Sequence, residues 1–221
     1  MAPSNIKVQR VEKPSEELVE EAAQLFCELM PADPAAISLT AGKLELMQPM
    51  ARAMIRPLAL LAGEMYTATD ENGSLVGFTL WLPPGENLFT TEEQRQMGLY
   101  EFMNALPEEG KAYYSTTLGQ DFPKVVDEYI GIPSAETACY WCSFAMVRAD
   151  YQGKGVAKAL FQLVFPKAKE MGAVIGLGTT NLRNVEIYKK IGLTLRGHRY
   201  MPSPWGDWPT WIFSKDMTAT E

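Results

Sequence analysis

Residues 138–158 read ACYWCSFAMVRADYQGKGVAK, and this stretch decides the fold. Its first ten residues, 138–147, are apolar on both faces, which is typical of a central strand in a sheet. A turn containing Gly153 and Gly155 follows, and a segment with apolar residues at helical spacing begins directly after it. This arrangement points backbone N–H groups and the positive end of a helix dipole at one spot. The sequence therefore predicts an anion-binding site at residues 152–157.

The spacing around these glycines does not fit two common phosphate loops. It lacks the third glycine of the dinucleotide fingerprint, and no acid stands about 20 residues further on to bind a ribose. It also lacks the Gly-Lys-Ser/Thr ending of a P-loop. The remaining pattern is Gln/Arg-x-x-Gly-x-Gly/Ala, which is matched by Gln152-Gly153-Lys154-Gly155-Val156-Ala157. With this hexapeptide the chain resembles the GCN5-related N-acetyltransferases, the GNAT family, in which it forms the pyrophosphate loop for coenzyme A.

A second stretch supports the resemblance. Residues 184–193 read NVEIYKKIGL, which is similar to the family's Asn, Tyr and Lys-x-Gly-Phe signature. The resemblance is strong over residues 138–200 and extends to residues 1–82, but residues 83–136 have no counterpart in it. It implies a GNAT fold of the α/β (α+β) class, with a mixed central sheet of about six to seven strands flanked by helices.

The resemblance also implies roles for individual residues. The backbone of Met146 and Val147 would pair with the pantetheine arm of acetyl-CoA like an extra strand, and Asn184 would reach the pantetheine or the adenosine side. Tyr188 would lie near the sulfur and protonate the leaving thiolate, since a phenol stays protonated at neutral pH. The N–H groups of one run would hold the pyrophosphate: Gln152, Gly153, Lys154, Gly155, Val156 and Ala157.

Outside this segment, hydrophobic periodicity predicts the remaining elements. A strand at residues 6–11 precedes a helix at 15–30 that is capped by Ser15 and ended by Pro31 and Pro34. Further elements are a helical segment at 39–61 broken near Pro49 and Pro57, a hairpin at 65–82 with an Asn-Gly turn, and a helix from Val156 to 171 that Pro166 should kink. A strand at 173–177, a helix at 184–191 and strands at 193–201 and 208–214 complete the order.

Composition places limits on the class of protein. The chain has 221 residues, a formal net charge of −7, three cysteines and one histidine. No apolar run approaches the roughly 20 residues of a membrane span, and residues 1–10 lack a signal-peptide core. We expect a single domain over residues 1–221, a cytoplasmic location, no metal, and neither nucleic acid nor membrane as a partner.

The charge is unevenly distributed along the chain. Residues 83–136 contain ten acids and three bases, a net charge of −7, and read as an acidic helical insertion. Residues 148–199 contain ten bases and three acids, a net charge of +7. A basic segment in an acidic protein suggests a phosphate-bearing ligand there, whereas the insertion is either a solvated face or a lid that attracts cationic acceptors.

The sequence leaves the general base and the acceptor open. The strand at 138–147 has no carboxylate, and Glu64, Asp70, Asp150 and the acidic insertion all remain candidates. An arylamine of low pKa would need only solvent as a base. Such an acceptor would suit a pocket of aromatic side chains, for which the candidates are Tyr140, Trp141, Phe144, Trp205, Trp208 and Trp211.

Other reactive residues are interpreted as structural. Cys139 and Cys142 lie three apart on an extended strand and point to opposite faces, so they cannot pair; Cys142 remains a minor candidate for lining the thioester site. A lone histidine is more often structural than catalytic, so His198 is interpreted as structural. The turn at 205–208 could border the acceptor pocket. Ser143 lacks the Gly-x-Ser-x-Gly context of a nucleophile.

The favoured function is acetyl transfer from acetyl-CoA to a primary amine of a small molecule by direct attack. Two alternatives remain: an acetyltransferase for protein N-termini or lysines, and a CoA-binding sensor without turnover. The sequence leaves the oligomeric state open.

Overall fold

The computed structural model describes residues 3–218. Residues 1–2 and 219–221 lie outside this range. The prediction of one domain over residues 1–221 and the prediction about residues 1–10 therefore extend beyond the described residues. The strands are β1 (Lys7–Val11), β2 (Glu64–Thr69), β3 (Leu75–Leu82), β4 (Tyr140–Val147), β5 (Val174–Thr179), β6 (Thr194–Met201) and β7 (Trp208–Asp216).

Ten α-helices accompany the strands in this part of the chain. They are α1 (Glu16–Leu29), α2 (Pro34–Leu39), α3 (Met47–Pro57), α4 (Glu92–Gln96), α5 (Leu99–Ala105), α6 (Glu108–Tyr113), α7 (Phe122–Ile130), α8 (Ala135–Ala138), α9 (Val156–Glu170) and α10 (Leu182–Ile191). Short 3₁₀ turns lie at Leu44–Leu46 and Ala149–Tyr151, and π-helical turns lie at Leu58–Ala62 and Tyr114–Asp121. None of these helices is long and apolar enough to cross a membrane.

The strands form one mixed sheet in the order β1-β2-β3-β4-β5-β7-β6. All neighbouring pairs are antiparallel except β4 and β5, which are parallel. This confirms the expected mixed sheet of six to seven strands and the central position of β4. The helices α1 and α3 cover one face around Phe26, Met50 and Leu80, and α9 and α10 cover the other around Phe161 and Phe213.

Local sequence signals explain most element boundaries. The Leu18 N–H donates a hydrogen bond of 3.2 Å to the Ser15 hydroxyl oxygen, which caps α1 as expected. The β2–β3 hairpin forms as predicted, and Gly73 takes a positive φ of 81° in its turn. The structure corrects the prediction at Pro34, which begins α2 at its first turn instead of only ending α1, because proline has no N–H to leave unpaired there.

Other boundaries also differ from the prediction. Pro49 lies within the first turn of α3, where a missing N–H costs no helical hydrogen bond, so the helix is unbroken there. Pro57 ends α3, and a π-helical turn follows. Residue 138 ends α8 instead of beginning the central strand. The helix α10 begins at Leu182, two residues earlier than predicted, because the Asn181 side chain accepts a hydrogen bond from the Arg183 N–H.

The acidic segment at 83–136 covers one face of the sheet with helices α4 to α7 and the start of α8. Phe102, Leu106 and Val126 from this segment are buried in the same core as α1 and α3. The helix α8 packs against β4 and β5, and α7 packs against β6 and β7. This segment therefore forms one wall of the space beside the central strand.

Candidate active site

The sheet opens between its two parallel strands. Residues Tyr140, Trp141 and Cys142 of β4 pair with β5, and the pairing stops there. On the other side of β4, Leu80 of β3 pairs with Phe144 and Trp81 pairs with Cys142, so Ser143 has no partner and forms a bulge. A bulge bends its strand, and β4 diverges from β5 beyond it. Within the described residues, the β5-facing edge of 143–147 therefore has no strand partner.

A cavity of about 710 Å³ fills this opening. Of the residues expected to contact the cosubstrate, Met146, Asn184 and Tyr188 line it. Val147 ends β4 just beyond, where its carbonyl accepts a hydrogen bond of 2.9 Å from the Gln152 side-chain amide. The cavity thus lies between the unpaired edge of β4 and the start of α10.

The glycine turn has the geometry expected of an anion site. Gly153 and Gly155 have φ angles of 75° and 81°, in the left-handed region that favours glycine. The first hydrogen bond of α9 joins the Ala159 N–H to the Gly155 carbonyl at 3.0 Å. No side chain among residues 3–218 caps this helix, so the first N–H groups of α9 remain available to an anion.

Basic side chains surround this turn. The Arg148 guanidinium lies 4.8 Å and the Lys154 ammonium 5.2 Å from the Tyr151 ring centre. Arg148 also pairs with Asp150 at 2.8 Å, whereas Lys154 and Lys158 are exposed. The positive charge predicted for this segment is therefore partly concentrated beside the N-terminus of α9.

Two residues of α10 occupy the floor of the opening. The Asn184 amide donates a hydrogen bond of 3.2 Å to the Thr179 hydroxyl oxygen, which fixes its orientation. The Tyr188 ring packs between Phe161 and Phe213, with ring centres 5.7 and 5.5 Å away. Burial, with a smaller contribution from nearby Cys142, raises the pKa of the Tyr188 phenol. The phenol therefore keeps its proton at neutral pH.

A second chamber, of about 400 Å³, lies behind the bulge. The β4 residues Trp141, Cys142, Ser143 and Phe144 form one wall, and all but Trp141 also line the larger cavity. The two cavities thus adjoin at the bulge. The opposite wall comes mainly from the acidic segment and the last strand; its members include Leu88, Tyr114, Leu118, Phe122, Glu136 and Trp208.

Glu136 is the one carboxylate lining this chamber among the described residues. Burial and, to a lesser degree, the negative charge of Asp127 raise the pKa of Glu136 to about 7. No hydrogen-bond donor from residues 3–218 contacts its carboxylate. The Asp127 carboxylate accepts hydrogen bonds from the Ser134 N–H at 2.9 Å and the Ala135 N–H at 2.7 Å, which anchors the short helix carrying Glu136.

Sequence reasoning did not separate Glu136 from the nine other acids of its segment. The only sequence feature that distinguishes Glu136 is its position four residues before the central strand. A side chain at such a position can face the sheet. The aromatic and aliphatic wall that buries it comes from residues distant in sequence, so its environment has no local signature.

The three individually named candidate bases lie outside both cavities. The Glu64 carboxylate accepts hydrogen bonds from Tyr140 at 2.5 Å and Tyr66 at 3.1 Å, and it forms ion pairs with Lys167 and, at 3.2 Å, with Arg10. Burial opposes ionisation of this carboxyl, but the hydrogen bonds from Lys167 and Tyr140 outweigh it and lower the Glu64 pKa.

Asp70 and Asp150 are held in local contacts. Asp70 accepts hydrogen bonds from the N–H groups of Asn72 and Ser74 in the hairpin turn, both at 3.0 Å. Asp150 is exposed and pairs with Arg148. These two carboxylates therefore stabilise turns and do not face the opening.

The expected aromatic pocket is only partly assembled. Trp141, Phe144 and Trp208 line the chamber, and Trp211 lines the larger cavity. Tyr140 and Trp205 line neither: Tyr140 faces Glu64 on the α9 side, and the Trp205 ring packs edge-on against Tyr113 with centres 5.7 Å apart. The turn at 205–208 borders the chamber through Trp208.

The reactive residues set aside on sequence grounds have structural surroundings. Cys139 and Cys142 belong to the cores on opposite faces of the sheet and are unpaired. Cys142 lines both cavities, and burial raises its thiol pKa well above the usual range. The exposed His198 stacks on Trp211 with ring centres 4.5 Å apart and lines neither cavity.

Neither the metal-ligating residue types nor the groove along α1 forms a second candidate site in the described residues. Over residues 3–218, no group of three or more His, Cys, Asp and Glu side chains is arranged to hold a metal ion. A groove of about 1050 Å³ runs along α1 as far as Arg148 and shares no lining residue with the opening. Two ion pairs cross it, between Arg52 and Glu20 at 2.5 Å and between Arg56 and Glu16 at 3.0 Å.

Comparisons with known proteins identify relatives of this fold. The family model described as the acetyltransferase (GNAT) family matches residues 22–193. A search of curated protein sequences finds no significant match. Among solved structures, arylalkylamine N-acetyltransferase 2 from Aedes aegypti is 15% identical, with a TM-score of 0.60 and coverage of 97% of this chain and 100% of that one.

Two further structures show the breadth of the similarity. A structure described as histone acetyltransferase HPA2 and related acetyltransferase, from Corynebacterium glutamicum, is 17% identical, with a TM-score of 0.59 and 96% coverage of both chains. The ribosomal-protein-S18-alanine N-acetyltransferase from Escherichia coli is 10% identical, with a TM-score of 0.52 and coverage of 98% and 96%. These likenesses extend across the whole fold.

Proposed function

The chain belongs to the GNAT family of acetyl-CoA-dependent acetyltransferases, and from this premise we propose that its acceptor is the primary amine of a small molecule. One observation carries the proposal: the opening beside β4 adjoins an apolar chamber at the Ser143 bulge. The chamber is walled by helices of the 83–136 segment. A chamber of about 400 Å³ suits a compact acceptor, whereas an extended peptide needs a longer groove.

The backbone around the opening supports the proposed position of the cosubstrate. Acetyl-CoA supplies an activated thioester, and the residues around the opening fit its parts. The β5-facing backbone of residues 143–147, which includes Met146 and Val147, can hydrogen-bond the amides of the pantetheine arm as a neighbouring strand would. The N–H groups of residues 152–157, with Lys154 and Lys158, can bind the pyrophosphate. Asn184 faces the arm from α10.

We assign to Tyr188 the role of hydrogen-bonding the leaving thiolate. It lines the same cavity as Cys142 and Ser143, and its phenol is protonated at neutral pH. Because burial raises the pKa of this phenol, its main contribution is a hydrogen bond that stabilises negative charge on sulfur as the C–S bond breaks. A buried donor of this kind is effective because water does not compete with it.

The acidic segment has a role in this scheme. We treat residues 1–221 as one domain with an insertion at about 83–136 that forms the wall of the acceptor chamber. Its side chains Tyr114, Leu118 and Phe122 contribute apolar surface, and Trp208 of β7 completes the wall. An acceptor with an apolar body is therefore favoured over a strongly polar one.

A thiol-release assay tests the proposal. The full chain is incubated with acetyl-CoA and a panel that contains small apolar amines, polyamines, and peptides with a free N-terminus or an internal lysine. We expect thiol release with small apolar amines and none with peptides. Turnover confined to peptides would replace the proposal with protein acetylation, and acetyl-CoA binding by calorimetry without any turnover would favour a sensor.

A further inference from the structure

We propose that Glu136 binds the acceptor's ammonium group and takes its proton, so that the acceptor is a compact apolar primary amine with a single charge. This inference rests on the proposed function and deepens it. It assigns a base that the sequence leaves open, and it specifies the acceptor by its charge as well as its shape.

The chamber presents one carboxylate that has no protein partner and lies among mainly apolar side chains. Glu136 lines it, and no donor from the described part of the chain contacts the carboxylate. A partly buried carboxylate without a partner is costly, and a bound cation removes that cost. The neighbouring carboxylate of Asp127 adds to the negative potential, but its oxygens already accept the Ser134 and Ala135 N–H groups. Glu136 is thus the carboxylate left free for a ligand.

The rest of the lining limits what can accompany the ammonium. The other chamber residues are apolar or carry neutral polar groups, such as Ser143, Thr180 and Thr210. No Lys or Arg of the described chain lines the chamber, so an amino acid's carboxylate would find no counter-ion and would face Glu136. A polyamine's second ammonium would likewise be desolvated without a partner. A volume of about 400 Å³ is at the small end of ligand sites.

The chemistry balances with Glu136 as the proton acceptor. The ammonium transfers one proton to the carboxylate, which leaves a neutral amine. The nitrogen lone pair then forms the N–C bond to the acetyl carbon as the C–S electron pair leaves on sulfur. The second nitrogen proton passes to the thiolate, with Tyr188 stabilising that charge, and Glu136 releases its proton to water after the products leave.

The titratable groups around α8 are few. Asp127 of α7 contributes negative charge, Cys142 of β4 is a buried neutral thiol, and β5 carries no titratable side chain. Tyr114 lines the chamber and is held neutral by burial, with its hydroxyl donating to the Leu39 carbonyl at 3.1 Å. Glu136 is therefore the group whose ionisation changes the charge of the chamber near neutral pH.

Two substrates and two variants test the assignment. At neutral pH 2-phenylethylamine is an ammonium ion, whereas aniline is already a free amine and needs no base before attack. For Glu136→Gln we expect kcat/KM for phenylethylamine to fall about 100-fold or more, the range of general base catalysis, with a much smaller change for aniline. Glu128→Gln, on exposed α7 surface, is the matched control and should stay within about twofold of wild type.

The pH profile separates a catalytic base from a structural acid. Wild-type kcat/KM for phenylethylamine should fall as pH decreases through about 7, and this inflection should be absent for aniline. Acetyl-CoA affinity, measured by calorimetry, should be unchanged in Glu136→Gln. Full activity of this variant toward phenylethylamine, or equal losses with both amines at unchanged folding, would overturn the assignment.

A binding measurement keeps the inference testable if no amine is acetylated. Trp141 and Trp208 line the chamber, so their fluorescence reports occupancy. We expect wild type to bind phenylethylammonium more tightly than uncharged 2-phenylethanol, with the preference growing as pH rises through about 7 and lost in Glu136→Gln. If the variant does not fold, the wild-type pH dependence alone decides. A charge-independent affinity would refute the role of Glu136 whatever the outcome for acetyl transfer.

Discussion

The Thr180 hydroxyl donates a hydrogen bond of 2.5 Å to the Asp33 carboxylate, which ties the start of α2 to the chain that follows β5. The other Asp33 oxygen accepts the N–H groups of Ala35 and Ala36 at 3.0 and 3.1 Å. Asp33 and Thr180 both line the larger cavity. A helix cap and a contact across the opening are therefore made by one side chain.

Replacing Thr180 with valine should weaken this connection. The substitution keeps the shape of the side chain but removes the donor, so we expect the free energy of unfolding to fall by about 1–2 kcal/mol in urea titrations. Thr180→Ser keeps the hydroxyl and is the matched control. A valine variant as stable as wild type would show that the hydrogen bond is not formed in solution.

Gly155→Val should impair acetyl-CoA binding. A β-branched residue is strained at a φ of 81° and places atoms where a phosphate approaches the backbone, so we expect the Kd to rise at least tenfold, about 1.4 kcal/mol. Gly172→Val is the control, because Gly172 also has a positive φ, of 59°, in open surroundings beyond the end of α9. Equal affinity losses in both variants would indicate general strain instead of a phosphate site.

Tyr188→Phe should lower turnover without changing acetyl-CoA affinity. The phenyl ring preserves the packing against Phe161 and Phe213, while the hydroxyl proposed to donate to the leaving sulfur is lost. We expect kcat to fall by roughly 10- to 1000-fold, as when one donor to a developing charge is removed. The measurement is steady-state thiol release together with calorimetry; undiminished kcat would remove Tyr188 from the mechanism.

Glu64→Gln should destabilise the fold in a pH-dependent way. The variant leaves Lys167 and Arg10 without their counter-ion, and because these two cations are partly exposed we expect a loss of about 1–3 kcal/mol. Because the folded-state pKa of Glu64 is lowered, its stabilisation is present above the unfolded value of about 4.5 and is lost as pH falls below it. The difference in unfolding free energy between wild type and variant should therefore shrink in acid, while acetyl-CoA binding at pH 7 is retained.

Glu136→Gln should have the opposite pH dependence. The folded-state pKa of Glu136 is raised from 4.5 to about 7, so the folded protein binds more protons than the unfolded one between these values. Wild-type stability should decrease as pH rises through this window, by up to about 3 kcal/mol. The variant lacks this decrease, so its stability relative to wild type should increase from pH 5 to pH 8. A constant difference across this range would show that Glu136 titrates normally.

The elements that the sequence predicts correctly are those encoded locally. The Asn-Gly hairpin, the cap at Ser15 and the strand–glycine–helix segment each depend on residues within one turn or one strand of one another. The opposite orientation of Cys139 and Cys142 follows from strand periodicity alone. The segment that the resemblance assigns to the cofactor is also of this local kind, because its strand, glycine turn and helix follow one another directly.

The lining of the proposed acceptor chamber depends on contacts between residues distant in sequence. The sequence alone therefore does not predict it. Glu136 and Trp208 are 72 positions apart in the sequence but line the same chamber. In the sequence, Glu64 is an acid at the end of a strand with no evident partner. Its partner in the structure, Lys167, lies 103 positions later. Counting charges treats all acids of a segment alike, whereas burial and partners decide which one can accept a proton.

The short ladder between β4 and β5 divides the sheet into two halves, and over residues 3–218 these halves share only the pairing at Tyr140, Trp141 and Cys142. The antiparallel ladders within each half are longer than this parallel ladder. Few backbone hydrogen bonds therefore have to break for the two halves to separate at the β4–β5 boundary. A ligand lying along β4 would supply bonds that the polypeptide omits, acting as a removable eighth strand. Under the proposed binding mode, acetyl-CoA would therefore join the two halves of the sheet as well as occupy the active site.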